Sequence, residues 1–185
     1  MTVYTTMDSP LGELLLMGEE SATAKGGTAL ASVSVPSQKR GAVVEDGRRH
    51  DPAAFAWIAG QLRAYFDGEL TAFDIEHTTR GTDFQQRVWK ALEEIPYGAT
   101  THYGALTAAI GAPRAAVRAV GTAIGANPLL VVRPCHRVIG ADGSMTGYAG
   151  GLERKRTLLR LEGAPALGER TPGERPAAGR RVASL

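Results

Sequence analysis

A chain of 185 residues, 43% hydrophobic and 22% charged, has the make-up of a globular protein with room for one large or two small domains. Nothing approaches the roughly 18 consecutive apolar residues of a membrane-spanning helix, Met1-Thr2-Val3-Tyr4 lacks the basic and apolar blocks of a secretory leader, and the single cysteine, Cys135, excludes an intramolecular disulfide, a CxxC redox pair and a cysteine-rich zinc site. The net charge of +2 conceals a split, with 6 Lys/Arg against 11 Asp/Glu in residues 1 to 79 and 11 against 6 in residues 80 to 162; a polyanionic partner would then meet the second half, two solvated surfaces of opposite sign fit the split equally well, and the expected compartment is the cytoplasm, with no membrane.

The first elements read as a β-hairpin. Val3 to Met7 and Glu13 to Met17 carry strand signals, with the turn cluster Asp8-Ser9-Pro10-Leu11-Gly12 between them. The Gly-, Ser- and Ala-rich stretch from Glu19 to Gly47 holds one plausible strand, Ala29 to Val35, and otherwise reads as a long loop. Asp51-Pro52 supplies an N-cap and an N1 proline, and Phe55, Ile58, Leu62 and Tyr65 or Phe66 follow at helical spacing up to Gly68. Thr82 caps a second helix with Phe84, Val88, Leu92 and Ile95 along one face, Trp89 beside it in the core, and Pro96-Tyr97-Gly98 as its stop.

From Thr101 to Ile124 the pattern reads helix, turn, helix, with Gly111-Ala112-Pro113 as the turn. Val117, Val120 and Ile124 are expected to face the core. Arg114, Arg118, Thr122 and Gly125 share another face, which with Ala115 and Ala119 is small enough to approach a surface closely. By itself such a helix pair fits a plain helical core as readily as a DNA contact. Leu129 to Val132 then read as a strand that runs into Pro134 and delivers Cys135 at its end, with His136 next and Arg133 and Arg137 on either side. A lone thiol is either an inert buried sulfur or a nucleophile held as thiolate, and these flanking cations favour the nucleophile. A glycine-rich loop from Gly140 to Gly151, a last helix from Leu152 to Leu161 and a stop at Glu162-Gly163 complete the ordered part. Beyond it, Pro165, Pro172 and Pro176 among scattered Gly, Ala and Arg make residues 164–185 a tail expected to be disordered.

Pro134-Cys135-His136-Arg137-Val138, with Arg118-Ala119-Val120-Gly121 and Asn127-Pro128 upstream, closely resembles the O6-alkylguanine-DNA alkyltransferases, the methylated-DNA-protein-cysteine methyltransferases. Further matches follow in order: Gly81-Thr82-Asp83-Phe84-Gln85, Val88-Trp89, Ile95-Pro96-Tyr97-Gly98, Tyr103-Gly104, Gly147-Tyr148 and Leu161-Glu162-Gly163. The likeness is strong over residues 81 to 163 and looser over Met1 to Asp74. It implies a mixed α/β (α+β) fold, with a ribonuclease-H-like domain over 1–78 and a helix-turn-helix, winged-helix-like alkyltransferase domain over 79–163. It also implies a single-turnover repair protein that flips an O6-alkylated guanine out of duplex DNA and moves the alkyl group irreversibly to its own cysteine, with O4-alkylated thymine left open as a second substrate.

Carried over residue by residue, the resemblance makes Cys135 the acceptor, His136 its base through a bound water, and Glu162 the carboxylate that orients the imidazole. Tyr103 helps rotate the nucleotide and donates a proton toward the departing guanine. Arg118 fills the gap left in the base stack, with Arg114 and Thr122 on the same DNA-facing helix, and Asn127 is the hinge that ties this helix to the cysteine segment. Val138, Tyr148, Ala149 and Gly150 occupy the positions of the guanine pocket. Some relatives have serine where Ala149 stands and a polar side chain where Gly104 stands, so those two contacts are missing here, and the small residues predict a pocket that admits groups larger than methyl. Some members hold zinc through cysteines and histidines of the first domain, which has no cysteine here, so no metal and no cofactor is expected. The partner implied is double-stranded DNA, bound through its minor groove with little sequence preference by a monomer, with cooperative assembly left open.

Three other readings compete. A non-catalytic lesion-binding protein, like the alkyltransferase-like relatives, would have no use for Cys135. A helix-turn-helix regulator in this family carries an added metal-binding domain that is missing here. A cysteine hydrolase would need an oxyanion hole and a histidine in direct contact with the sulfur.

Overall fold

The computed structural model describes residues 1–164. The expected hairpin forms as β1 (Thr2–Met7) and β2 (Leu14–Glu20), antiparallel from Thr2 opposite Glu19 to Met7 opposite Leu14. β3 (Thr28–Ser34) adds antiparallel to β2, and the short β4 (Arg49–His50) pairs parallel with β1, giving the sheet order β3-β2-β1-β4. β4 carries no sequence signal, because two polar residues show no alternation.

Asp51 caps as expected, its Oδ1 accepting the Ala54 N–H at 3.1 Å, but the first turn it caps is a tight 3-10 turn (Ala53–Phe55) ahead of α1 (Ala56–Phe66). Phe55, Ile58, Leu62 and Tyr65 are all buried in a core with Leu14, Leu16 and Leu30 of the sheet. α2 (Asp83–Glu93) opens with a reciprocal capping box: Thr82 Oγ1 accepts the Gln85 N–H at 3.2 Å and Gln85 Oε1 accepts the Thr82 N–H at 2.9 Å. Trp89 is core, its Nε1 donating to the Ala123 carbonyl at 2.8 Å.

The helix expected from Thr101 starts two residues later. Thr101 and His102 form β5 (Thr101–His102), paired parallel with β6 (Val138–Ile139), and His102 caps α3 (Tyr103–Ala109) by accepting the Ala105 N–H. After a 3-10 turn (Arg114–Ala116) comes α4 (Val117–Gly125), packed on α2 and α3. Val120 and Ile124 are buried, but Val117, expected in the core, is the first residue of α4 and is 36% exposed. α5 (Leu152–Leu161) closes the described chain. The expected tail disorder concerns residues 165–185, outside the described residues. Among the described residues no helix is long and apolar enough to cross a membrane.

The two halves of the chain are joined at the cysteine segment. β3 exchanges backbone bonds with it, Val33 N–H to Pro128 O at 2.9 Å and Leu130 N–H to Val33 O at 3.4 Å, so the first sheet anchors the residues that lead to Cys135.

Candidate active site

The strand expected over Leu129 to Val132 is absent. Only Leu129 makes a ladder bridge, to Val33, and the chain then coils through two successive three-residue turns. In the first, the Val132 N–H donates to Leu130 O at 2.8 Å around Val131, whose φ of 72° is a left-handed conformation that a β-branched residue rarely adopts. In the second, the Cys135 N–H donates to Arg133 O at 2.8 Å around Pro134, at φ −79° and ψ 56°. Cys135 and His136 therefore ride on a 3-10 turn (Cys135–Arg137) rather than on a strand end.

Asn127 holds this coil together. Its Oδ1 accepts the Leu129 N–H at 3.0 Å, and its Nδ2 donates to the carbonyls of Arg133 at 3.1 Å and Leu129 at 3.4 Å. It follows the C-terminus of α4 by two residues, so the geometry ties that helix to the cysteine turn.

Cys135 is 4% exposed. Burial raises its thiol pKa, while the polar Asn127 amide and the charges of Lys155 and Arg133 oppose the shift. His136 is wholly buried, and burial dominates in lowering its pKa although Glu162 opposes the shift. The ring is thus neutral near pH 7. Its Nε2 lies 2.7 Å from Glu162 Oε1, which makes Nε2 the protonated nitrogen and leaves Nδ1 as an acceptor; Nδ1 is buried with no partner among the described residues.

Glu162 is the most heavily bonded carboxylate of the described residues. Besides His136 it accepts from Tyr65 Oη at 2.6 Å, from Arg137 Nε at 2.8 Å and from Arg137 Nη2 at 2.9 Å. Burial alone would raise its pKa, but the bonds from His136 and Arg137, and then from Tyr65, hold it well below the usual carboxylate range. Arg137 is therefore spent on Glu162 and on Ile95 O, not on the thiol as its place in the sequence suggested. Tyr65, from α1, was legible only as an apolar helix position, since nothing local signals a contact 97 residues away.

Lys155 is buried, and its ammonium bridges Val138 O at 2.6 Å, Thr146 O at 2.8 Å and Gly147 O at 3.3 Å. It fastens the glycine-rich loop to β6. Burial lowers its pKa to about 8, partly countered by Cys135.

A cavity of about 370 Å³ opens over the sulfur, lined by Lys39, Arg40, Tyr103, Gly121, Thr122, Ile124, Gly125, Cys135, Gly147, Tyr148 and Ala149. Of the expected pocket residues, Tyr148 and Ala149 reach it. Val138 and Gly150 are buried behind it, their carbonyls bonded to Lys155 and Arg154. Tyr103 and Thr122 sit on its rim, the Thr122 hydroxyl donating to Arg118 O in its own helix. Arg118 is exposed on the first turn of α4, whereas Arg114, expected on the same helix, is exposed on the 3-10 turn that precedes it, and neither lines the cavity. Lys39 and Arg40, unassigned in the sequence, enter from the loop after β3. A second cavity of about 320 Å³ lies behind the turn against Arg133, Pro134 and Arg137 and does not reach Cys135. Among the described residues no group of three or more His, Cys, Asp or Glu is placed to hold a metal ion.

Comparison with known proteins accounts for both halves. Residues 2–78 match the model of the 6-O-methylguanine DNA methyltransferase ribonuclease-like domain, and residues 83–164 that of its DNA binding domain. A methylated-DNA--protein-cysteine methyltransferase of Mycobacterium bovis is 53% identical over 165 residues, covering 88% of this chain and 93% of its own, and one of Methanosarcina acetivorans is 45% identical over 161 residues, covering 87% and 98%. The crystal structure of Mycobacterium tuberculosis OGT in complex with DNA superimposes with a TM-score of 0.77 at 52% identity, covering 88% of this chain and 95% of that one. A neutral imidazole bonded to a buried carboxylate and next in sequence to a lone thiol, on a fold matched over nearly its whole length, leaves one assignment: the chain belongs to the 6-O-methylguanine DNA methyltransferase family.

Proposed function

We infer that the protein repairs DNA directly, moving an alkyl group from the O6 of guanine to Cys135 in one irreversible turnover. The observation that carries this reading is the ordered path Tyr65 and Arg137 to Glu162 to His136, ending on the buried, acceptor-ready Nδ1 of the residue next in sequence to Cys135, which lines a cavity large enough for a base.

His136 Nδ1 takes the Cys135 proton through a water, and Glu162 stabilises the imidazolium that results. The thiolate attacks the saturated carbon: the S–C bond forms as the C–O6 bond breaks, and the purine receives a proton from the Tyr103 phenol as its negative charge develops. Tyr148 and Ala149 shape the pocket, the Ala149 amide facing O6. Arg118 occupies the space left in the stack, Arg114 and Thr122 face the backbone, and Asn127 carries the position of α4 to the cysteine turn. A thioether has no leaving group to restore it and the chain has no second thiol, so the reaction stops at one event.

The exposed Arg118 and small residues of α4, with Arg114 on the 3-10 turn before it, suit the minor groove of duplex DNA, bound by a monomer, and the lone thiol suits the cytoplasm. The test is product analysis with duplex in excess. The expected result is O6-methylguanine recovered as guanine in an amount equal to the protein and no more; continued conversion would mean a turnover enzyme of another kind.

A further inference from the structure

The first turns of α5 carry Arg154, Lys155 and Arg156 at the positive end of a helix dipole, where cations are disfavoured. Arg156 meets Glu153 of its own helix, and Lys155 holds the loop carbonyls described above. Arg154 has no carboxylate partner among the described residues. Its half-buried guanidinium goes instead to two main-chain carbonyls far apart in sequence, Nε donating to Leu11 O at 2.7 Å and Nη1 to Gly150 O at 2.9 Å. Leu11 belongs to the turn between β1 and β2, and that turn is locked from within. Ser9 Oγ accepts the Leu11 N–H at 3.1 Å and donates to Gly12 O at 2.7 Å, and the Gly12 N–H returns to Ser9 O at 3.0 Å. Gly12 stands at φ 100°, and a Cβ there would lie 3.3 Å from Pro36 Cγ, so the turn is also packed against the segment after β3. At the other end of the guanidinium, Gly150 lies against the Tyr148 ring: a Cβ on it would meet Tyr148 Cε1 at 2.8 Å and Leu130 Cδ1 at 3.3 Å. The Gly151 N–H donates to Tyr148 O at 2.9 Å, which closes residues 148–151 into one turn. Tyr148 and Ala149 of that turn line the cavity together with Cys135.

We propose that Arg154 is a positioning residue for alkyl transfer: its guanidinium braces the turn of Tyr148 and Ala149, one wall of the cavity that Cys135 lines, against the locked hairpin turn of the first half of the chain. This rests on the alkyl-transfer reading and adds a residue to it. Arg154 does not itself line the cavity, so it reaches a substrate only through the wall. Lys155 does not duplicate the brace, because its ammonium is taken up by the carbonyls of Val138, Thr146 and Gly147, all before Tyr148 in the chain.

Amide hydrogen exchange of the free protein, which needs no DNA, and single-turnover methyl transfer at increasing duplex concentration test this together. Arg154→Met is expected to speed exchange of the Gly151 N–H about tenfold and to lower the maximal transfer rate by a similar factor, because a displaced wall misplaces the base against the sulfur. The duplex concentration for half-maximal rate, which the α4 side of the cavity sets, should stay where it is. Arg154→Lys, which keeps a donor for the two carbonyls, should recover most of the rate. A merely structural Arg154 would lower the melting temperature with Gly151 exchange and the maximal rate unchanged, and that result overturns the proposal. A wild type that transfers no methyl would defeat the alkyl-transfer reading, while Gly151 exchange would still decide whether Arg154 braces the wall. Where Arg154→Met does not fold, Ser9→Ala unlocks the Leu11 turn from the opposite end, and unchanged Gly151 exchange in that variant overturns the proposal alone.

Discussion

Glu162 is where most of the buried charge of the site is resolved, with four hydrogen bonds from three side chains on its two oxygens. Glu162→Gln keeps the shape but leaves Arg137 without its counter-ion, and is expected to lower unfolding free energy by about 3 to 5 kcal/mol in urea titration. The pH dependence has a definite sign. The folded pKa of Glu162 lies below its ordinary 4.5, so its contribution is present above that value and is lost as pH falls through the folded pKa; Glu162→Gln should flatten this acid limb. His136 is buried neutral with a folded pKa below 6.5, so the unfolded chain takes up its proton first and stability also declines as pH drops below 6.5. In single-turnover transfer the same shift places the acid limb of the rate below pH 6.5, and a midpoint above 6.5 would show that His136 is not the neutral base.

At the scale of elements, local signals and long-range ones parted company. The α2 capping box was legible because Thr82 and Gln85 are neighbours in sequence. Thr82→Ala is expected to cost about 1 kcal/mol, measured as a shift in denaturant midpoint with unchanged slope. The cysteine segment misled for a physical reason. Leu129, Leu130, Val131 and Val132 have strand composition, and the first three are buried as strand residues are, but the partners that decide their backbone are Asn127 and Pro128 to Val33, which no local pattern records. The left-handed Val131 is held there by packing and those bonds, a strain stored beside the reactive group. Cys135, His136 and Glu162 were found through a motif. Tyr65 and Lys155 were not, and Arg137 lay in the motif without its role, because each acts through contacts set by tertiary structure.

Over the whole molecule, the acidic first half and basic second half are not two independent surfaces. Lys39 and Arg40, basic residues of the acidic half, stand over the cavity of the basic one. Replacing both with alanine is expected to weaken duplex binding and to reduce the slope of log affinity against log salt by about 0.9 for each phosphate they neutralise; an unchanged slope would place them off the DNA path. The first half also supplies Tyr65 and the β3 edge, so it serves as the frame of the site more than as a separate module. The most direct test of the central claim is the intact mass of the protein after incubation with a duplex bearing one O6-methylguanine, beside a Cys135→Ser variant. Transfer to Cys135 predicts one methyl-sized gain, saturating at one per chain, on the wild type alone; a gain on Cys135→Ser, or none on a wild type that binds the lesion, would contradict it.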